Sequence, residues 1–145
     1  MFFAVKSVEL FSKKQMTMKN LKYSLSIVAL MLVFTTQAQQ MDAIPDIVAG
    51  FNSGYSDAIA EHLNDNVELV IKNANNVFTK QQTKTILTDF FKKNPPLKFS
   101  IMHRGDKENA QFVIGNLETT NGTYRVYFLI KKNLVQQLRI ESSND

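Results

Sequence analysis

Behind Asn94-Pro95-Pro96 the chain alternates apolar and polar residues through four successive segments, and this pattern limits its C-terminal half to a sheet. Proline cannot donate into a helix and disfavours helix at the residue before it, so any preceding helix stops there. Leu97, Phe99, Ile101 and His103 share one face of the first segment. The polar cluster RGDKEN turns the chain, and Gln111 to Thr119 is the second segment. Asn121-Gly122 is the strongest short hairpin signal, because both residues tolerate the positive φ of a type I′ turn. Beyond it Tyr124, Val126, Phe128 and Ile130 alternate with Thr123, Arg125, Tyr127, Leu129 and Lys131. Lys132-Asn133 turns again, and Leu134, Gln136, Leu138 and Ile140 line the last segment. The expectation is a four-stranded antiparallel meander with one face on a core.

That core needs a cover, and the preceding residues supply helical spacing. Ile44, Ile47, Val48 and Phe51 recur at that spacing, with Pro45 suited to a first turn. Asn52-Ser53-Gly54 interrupts, and Tyr55, Ala58, Ile59, His62 and Leu63 resume at a new angle, which predicts a bent helix pair. Val67 to Ile71 reads as a short strand. Thr79 with Gln82 three residues on has the spacing of a capping box. It opens a helix whose apolar stripe is Ile86, Leu87, Phe90 and Phe91. Helices first and strands afterwards is an α+β pattern.

Charge separates the chain into two parts. Residues 1–38 hold five lysines and one acid, Glu9, while residues 39–145 hold 12 basic and 12 acidic side chains. The whole net charge of +4 therefore belongs to the first part. A formally neutral domain has no electrostatic footprint for phosphate backbones, which excludes nucleic acid as a partner. In the first part Lys19 and Lys22 precede the apolar run Leu25–Phe34, and Thr36-Gln37-Ala38 follows. A run of ten residues is too short to span a bilayer of about 30 Å. The order is that of a secretory signal peptide cleaved after Ala38, with Met16 or Met18 as the expected true start. Residues 1–38 are thus read as a leader and 39–145 as one exported domain, periplasmic or extracellular, with no membrane attachment after cleavage. The chain has no cysteine, so disulfides cannot stabilise this domain and a packed core must.

The order of elements resembles the cone-shaped fold of the nuclear transport factor 2-like superfamily, a cystatin-like α+β arrangement. More narrowly, IVAGFNSGYSDAIAEHLNDNVEL, FTKQQTKTILTDFF and GNLETTNGTYRVYFLIKKNLVQQLRIE resemble an uncharacterised family of exported Bacteroidetes proteins, numbered 4783 among the domains of unknown function. The resemblance runs from about Ile44 to Glu141 and implies N-terminal helices packed on a curved antiparallel sheet. It brings no activity.

The superfamily includes enzymes such as ketosteroid isomerase, which place acids inside the cone. Isomerisation needs a positioned carboxylate base and an oxyanion donor. The inward faces read here, Leu97 to His103 and Tyr124 to Ile130, contain neither Asp nor Glu. Asp57, Asp89, Asp106, Glu118 and Glu141 fall in helix exteriors, turns and outward strand positions. The expectation is a non-enzymatic domain with no cofactor; the alternative is a small-molecule enzyme of the ketosteroid isomerase-like type using the cone. Two histidines without cysteine do not support a structural metal site. Arg104-Gly105-Asp106 matches an integrin-recognition tripeptide and Asn121-Gly122-Thr123 a glycosylation sequon, but turn chemistry accounts for both.

Two uses of the fold then compete. In one, a cone pocket takes a small apolar ligand, with Tyr55, Phe99, His103, Asn116 and Tyr124 near its mouth. In the other, the cone is filled by its own side chains and the outer sheet face pairs with another protein. The chain's 11 phenylalanines favour a filled interior. For the second use the expected outward residues are Val113, Leu117, Tyr127 and Leu129, and the expected partner is a second copy in a homodimer.

Overall fold

The computed structural model describes residues 42–72 and 74–143; the expected signal peptide and its cleavage site lie outside them. Three helices, α1 (Ile44–Ser53), α2 (Ser56–Ala60) and α3 (Lys80–Lys93), cover one face of a curved six-stranded mixed sheet. The strands are β1 (Leu63–Ile71), β2 (Ala74–Thr79), β3 (Pro96–Lys107), β4 (Ala110–Thr119), β5 (Gly122–Lys131) and β6 (Leu134–Ser142). They lie in the order β2-β1-β6-β5-β4-β3.

The α+β expectation holds and the four-strand meander β3 to β6 is present, but the sheet extends two strands further. The expected short strand β1 runs parallel to β6, with Leu69 opposite Leu138 and Ile71 opposite Ile140. It folds back into β2, which has no sequence signal of its own because Ala74-Asn75-Asn76 lacks alternation. The last strand of the chain is consequently interior to the sheet, and Val135, Leu138 and Ile140 are buried on it.

The end of α1 and both ends of α3 follow from local chemistry. Gly54 adopts a left-handed conformation (φ 68°) that ends α1 and lets the chain re-enter a helix at Ser56, giving the bent pair. The capping box at α3 is formed in both directions: Gln82 N donates to Thr79 Oγ1 (3.3 Å) and Thr79 N to Gln82 Oε1 (3.0 Å). At the other end Asn94 N donates to the Phe90 carbonyl (2.8 Å). The Asn121 side-chain amide donates to the carbonyl of Lys93, so the β4–β5 turn also caps α3.

That turn differs from the expected type I′. Thr119 pairs with Gly122, which makes Thr120 and Asn121 the turn residues, and neither has positive φ. Only Gly122 does (φ 138°). The left-handed pairs occur instead at Glu108-Asn109 (φ 48° and 64°) and Lys132-Asn133 (φ 53° and 61°), each closing a two-residue hairpin. The first of these confines the turn of RGDKEN to its last two residues. Arg104, Gly105 and Asp106 stay in β3, opposite Val113, Phe112 and Gln111, so the tripeptide is strand and not turn.

Candidate functional site

The space between helices and sheet is occupied by aromatic rings. Phe51 of α1 stacks on Phe99 of β3 (centroids 5.0 Å) and on Phe128 of β5 (6.3 Å), and meets Phe91 of α3 edge-on (6.0 Å). Helical spacing aims Phe51 and Phe91 at the sheet, and strand alternation aims Phe99 and Phe128 back. Aromatic pairs in such offset and edge-on geometries gain about 0.5–1.5 kcal/mol each beyond the area they bury. The buried polar residues of the described chain are Ser56, Thr83, Asn94 and Thr119, none of them titratable. Tyr124 is half-buried at the edge of this core, where its hydroxyl donates to Asn94 Oδ1 (3.0 Å) and its ring meets Phe90 edge-on.

The five residues expected at a pocket mouth are not brought together. Phe99 is buried in the ring stack, and Tyr124 belongs to the Phe90–Asn94 cluster. Tyr55 stands exposed at the α1–α2 corner. His103 departs from the face of Phe99 because β3 is bulged between Ile101 and His103. One extra residue reverses every later side chain, so His103 joins the outer face, against the ring of Phe112 (5.6 Å). Asn116 is also outward, in register with Arg125 and Ser100. A second irregularity between Pro96 and Lys98 leaves Leu97 exposed, and Ile101 is exposed as well, so neither contributes to the core as expected.

Surface grooves among the described residues include two along α3. One of about 520 Å³ runs between the α1–α2 corner and α3, past Tyr55, Pro96 and the ion pair of Asp57 with Lys84. The hydrogen bond and charge of Asp57 hold the Lys84 ammonium above its ordinary pKa. The other, about 280 Å³, lies between Ile71 and Ala74 of the β1–β2 hairpin and Ile86 and Phe90 of α3. No group of three His, Cys, Asp or Glu side chains among the described residues is arranged to hold a metal. His62 is half-buried with Nε2 3.1 Å from Asp46 Oδ2.

The outer sheet face, which the helices leave uncovered, carries a group of half-buried apolar side chains. Phe112 and Ile114 of β4 lie opposite Leu129 and Tyr127 of β5, and the Phe112 ring stacks on Tyr127 (6.5 Å). Arg125, Arg139, Glu118 and Glu141 surround them, all exposed, with Arg139 3.6 Å from Glu141. Tyr127 and Leu129 are outward as expected, but Val113 and Leu117 are not: both are fully buried on the inner face. The correction follows from register. Partners across the β4–β5 turn sum to an odd number, so even residues of β5 face odd residues of β4, with Val113 opposite Phe128 and Leu117 opposite Tyr124. The same parity, applied to the sequence, would have selected Phe112 and Ile114.

Residues 44–142 match the family described as domain of unknown function DUF4783. The chain belongs to that family. Among solved structures, a DUF4783 protein from Bacteroides ovatus is similar at 33% identity and a TM-score of 0.65, over 69% of this chain and 94% of that one. A second, from Bacteroides uniformis, gives 28% and 0.66, over 70% and 97%. An NTF2-like protein of unknown function from Cytophaga hutchinsonii shares the fold at 14% identity and a TM-score of 0.55, over 76% and 95%. A comparison with curated proteins returned no match. The DUF4783 domain thus carries the nuclear transport factor 2-like, cystatin-like fold expected from its sequence.

Proposed function

We propose that this DUF4783 domain is an exported, non-enzymatic interaction module whose outer sheet face pairs with a second copy. The observation that carries this reading is the contrast between the two faces: four phenylalanines fill the interior, while Phe112, Ile114, Tyr127 and Leu129 form an apolar centre on the outside. A pocket that serves a ligand or a reaction needs convergent polar groups within an enclosed space. Here the ring stack takes that space and the carboxylates lie at the surface, which weighs against the isomerase-like alternative. An apolar centre with a charged rim has the anatomy of a protein interface. Both signs of charge occur in that rim, so a symmetric pairing can set Arg125 and Arg139 against Glu118 and Glu141. Exposed pairs contribute only about 0–1 kcal/mol each, so the apolar centre must supply most of the affinity. Light scattering of residues 39–145 at micromolar concentration tests the proposal. The wild-type domain is expected as a dimer and Leu129→Asp as a folded monomer; a wild-type domain that runs as a clean monomer overturns it.

A further inference from the structure

The sheet has two edges, and side chains block them unequally. On β2 the outward-facing amide of Val77 donates to Asn76 Oδ1 (2.8 Å) and that of Thr79 to Gln82 Oε1 (3.0 Å). On the first half of β3 the amide of Phe99 donates to Asn52 Oδ1 of α1 (2.9 Å). The second half of β3 is different. Lys107 and Ala110 close the two-residue Glu108-Asn109 turn and form a hydrogen-bonded pair, as do Gly105 with Phe112 two residues further on. Arg104 and Asp106 occupy the alternate positions, so their N–H and C=O groups point away from β4 to the free edge. No element of the described chain covers them, and beside them Ile101 and Met102 are among its most exposed large apolar residues.

We infer that this open stretch of β3 pairs antiparallel with the same stretch of a second copy, about a two-fold axis at Gly105. Arg104 then stands opposite Asp106 of the other copy, and Asp106 opposite its Arg104. Both residues have outward backbone groups, so the register forms four backbone hydrogen bonds, two per Arg–Asp pair. It also sets opposite charges directly across from each other on one face, the favourable arrangement for cross-strand neighbours. A register centred one residue earlier would oppose Arg104 to itself. Charged residues on an edge ordinarily discourage pairing. Here the charges alternate in sign about a glycine, which makes the edge complementary to its own copy. The Arg104 guanidinium also meets Asp42 Oδ2 (3.1 Å) and keeps donors for a second carboxylate. The inference is independent of the outer-face reading, since Arg104 and Asp106 lie on the opposite face from Tyr127 and Leu129.

The test is sedimentation velocity of residues 39–145 carrying Leu129→Asp, which removes the outer-face contact and leaves the edge. This background, monomeric at the micromolar concentration of the light-scattering test, is expected to enter a monomer–dimer equilibrium only at much higher concentration, and to lose it with added salt. Arg104→Asp and Asp106→Arg alone are each expected to weaken it roughly tenfold or more by opposing like charges. The double swap Arg104→Asp with Asp106→Arg restores it, and Asp106→Pro, which deletes an outward amide, abolishes it. Far-UV circular dichroism confirms that each variant is folded, as expected for exposed positions. A folded double swap that fails to recover dimerisation, or single variants that associate like their parent, overturns the inference. So does a parent that stays monomeric throughout, whatever the outer face does.

Discussion

Replacing Phe128 by alanine probes the ring stack directly. Phe128 is fully buried, lies between Val113 and Leu138 in the sheet, and stacks on Phe51, which in turn holds Phe99 and Phe91. Truncation removes the transfer free energy of the ring and leaves a void that Phe51, already held by Phe99 and Phe91, cannot easily close. Buried aromatic-to-alanine changes of this kind cost about 3–5 kcal/mol. A domain of this size has about 5–15 kcal/mol in total. With a shift of roughly 4–8 °C per kcal/mol for a small domain, the melting temperature should fall by roughly 12–40 °C. Lys131→Ala, at an exposed position on the same strand, is the control and should stay within about 0.5 kcal/mol of wild type. Calorimetry of the two variants decides the matter. Equal melting temperatures would mean that the interior is not held by this stack and that the assignment of faces on β5 is wrong.

Thr79→Ala removes the hydroxyl that accepts from Gln82 N, while the backbone amide of residue 79 still donates to Gln82 Oε1, and should cost about 0.5–2 kcal/mol in denaturant unfolding, with Thr79→Ser recovering most of it. Material recovered from outside the cytoplasm should begin at Gln39, and its intact mass reads this directly. A product that retains Leu25 to Phe34 would refute the export reading.

Local patterns sufficed where the physics is local. The start of α3 depends on Thr79 and Gln82, its end on Asn94-Pro95-Pro96, and the break between α1 and α2 on the conformational freedom of Gly54; each is a short-range matter of dihedral angles and unsatisfied backbone groups. The alternation on β5 likewise identified Phe128 as inward and Tyr127 and Leu129 as outward. The family motifs, which run almost from end to end of the described domain, carried the fold itself. Contacts between distant residues were another matter. β2 is a strand because β1 offers it an edge, and β1 lies beside β6 because the C-terminal strand inserts between β1 and β5, which no local pattern encodes. The outward turn of His103 depends on a bulge in β3, an extra residue whose place is set by pairing with β4 over a ten-residue span. The inward turn of Val113 and Leu117 depends on register across a hairpin. A strand's own period states that its side chains alternate. Only its neighbour, and the helices on one side of the sheet, decide which half of the alternation meets the core.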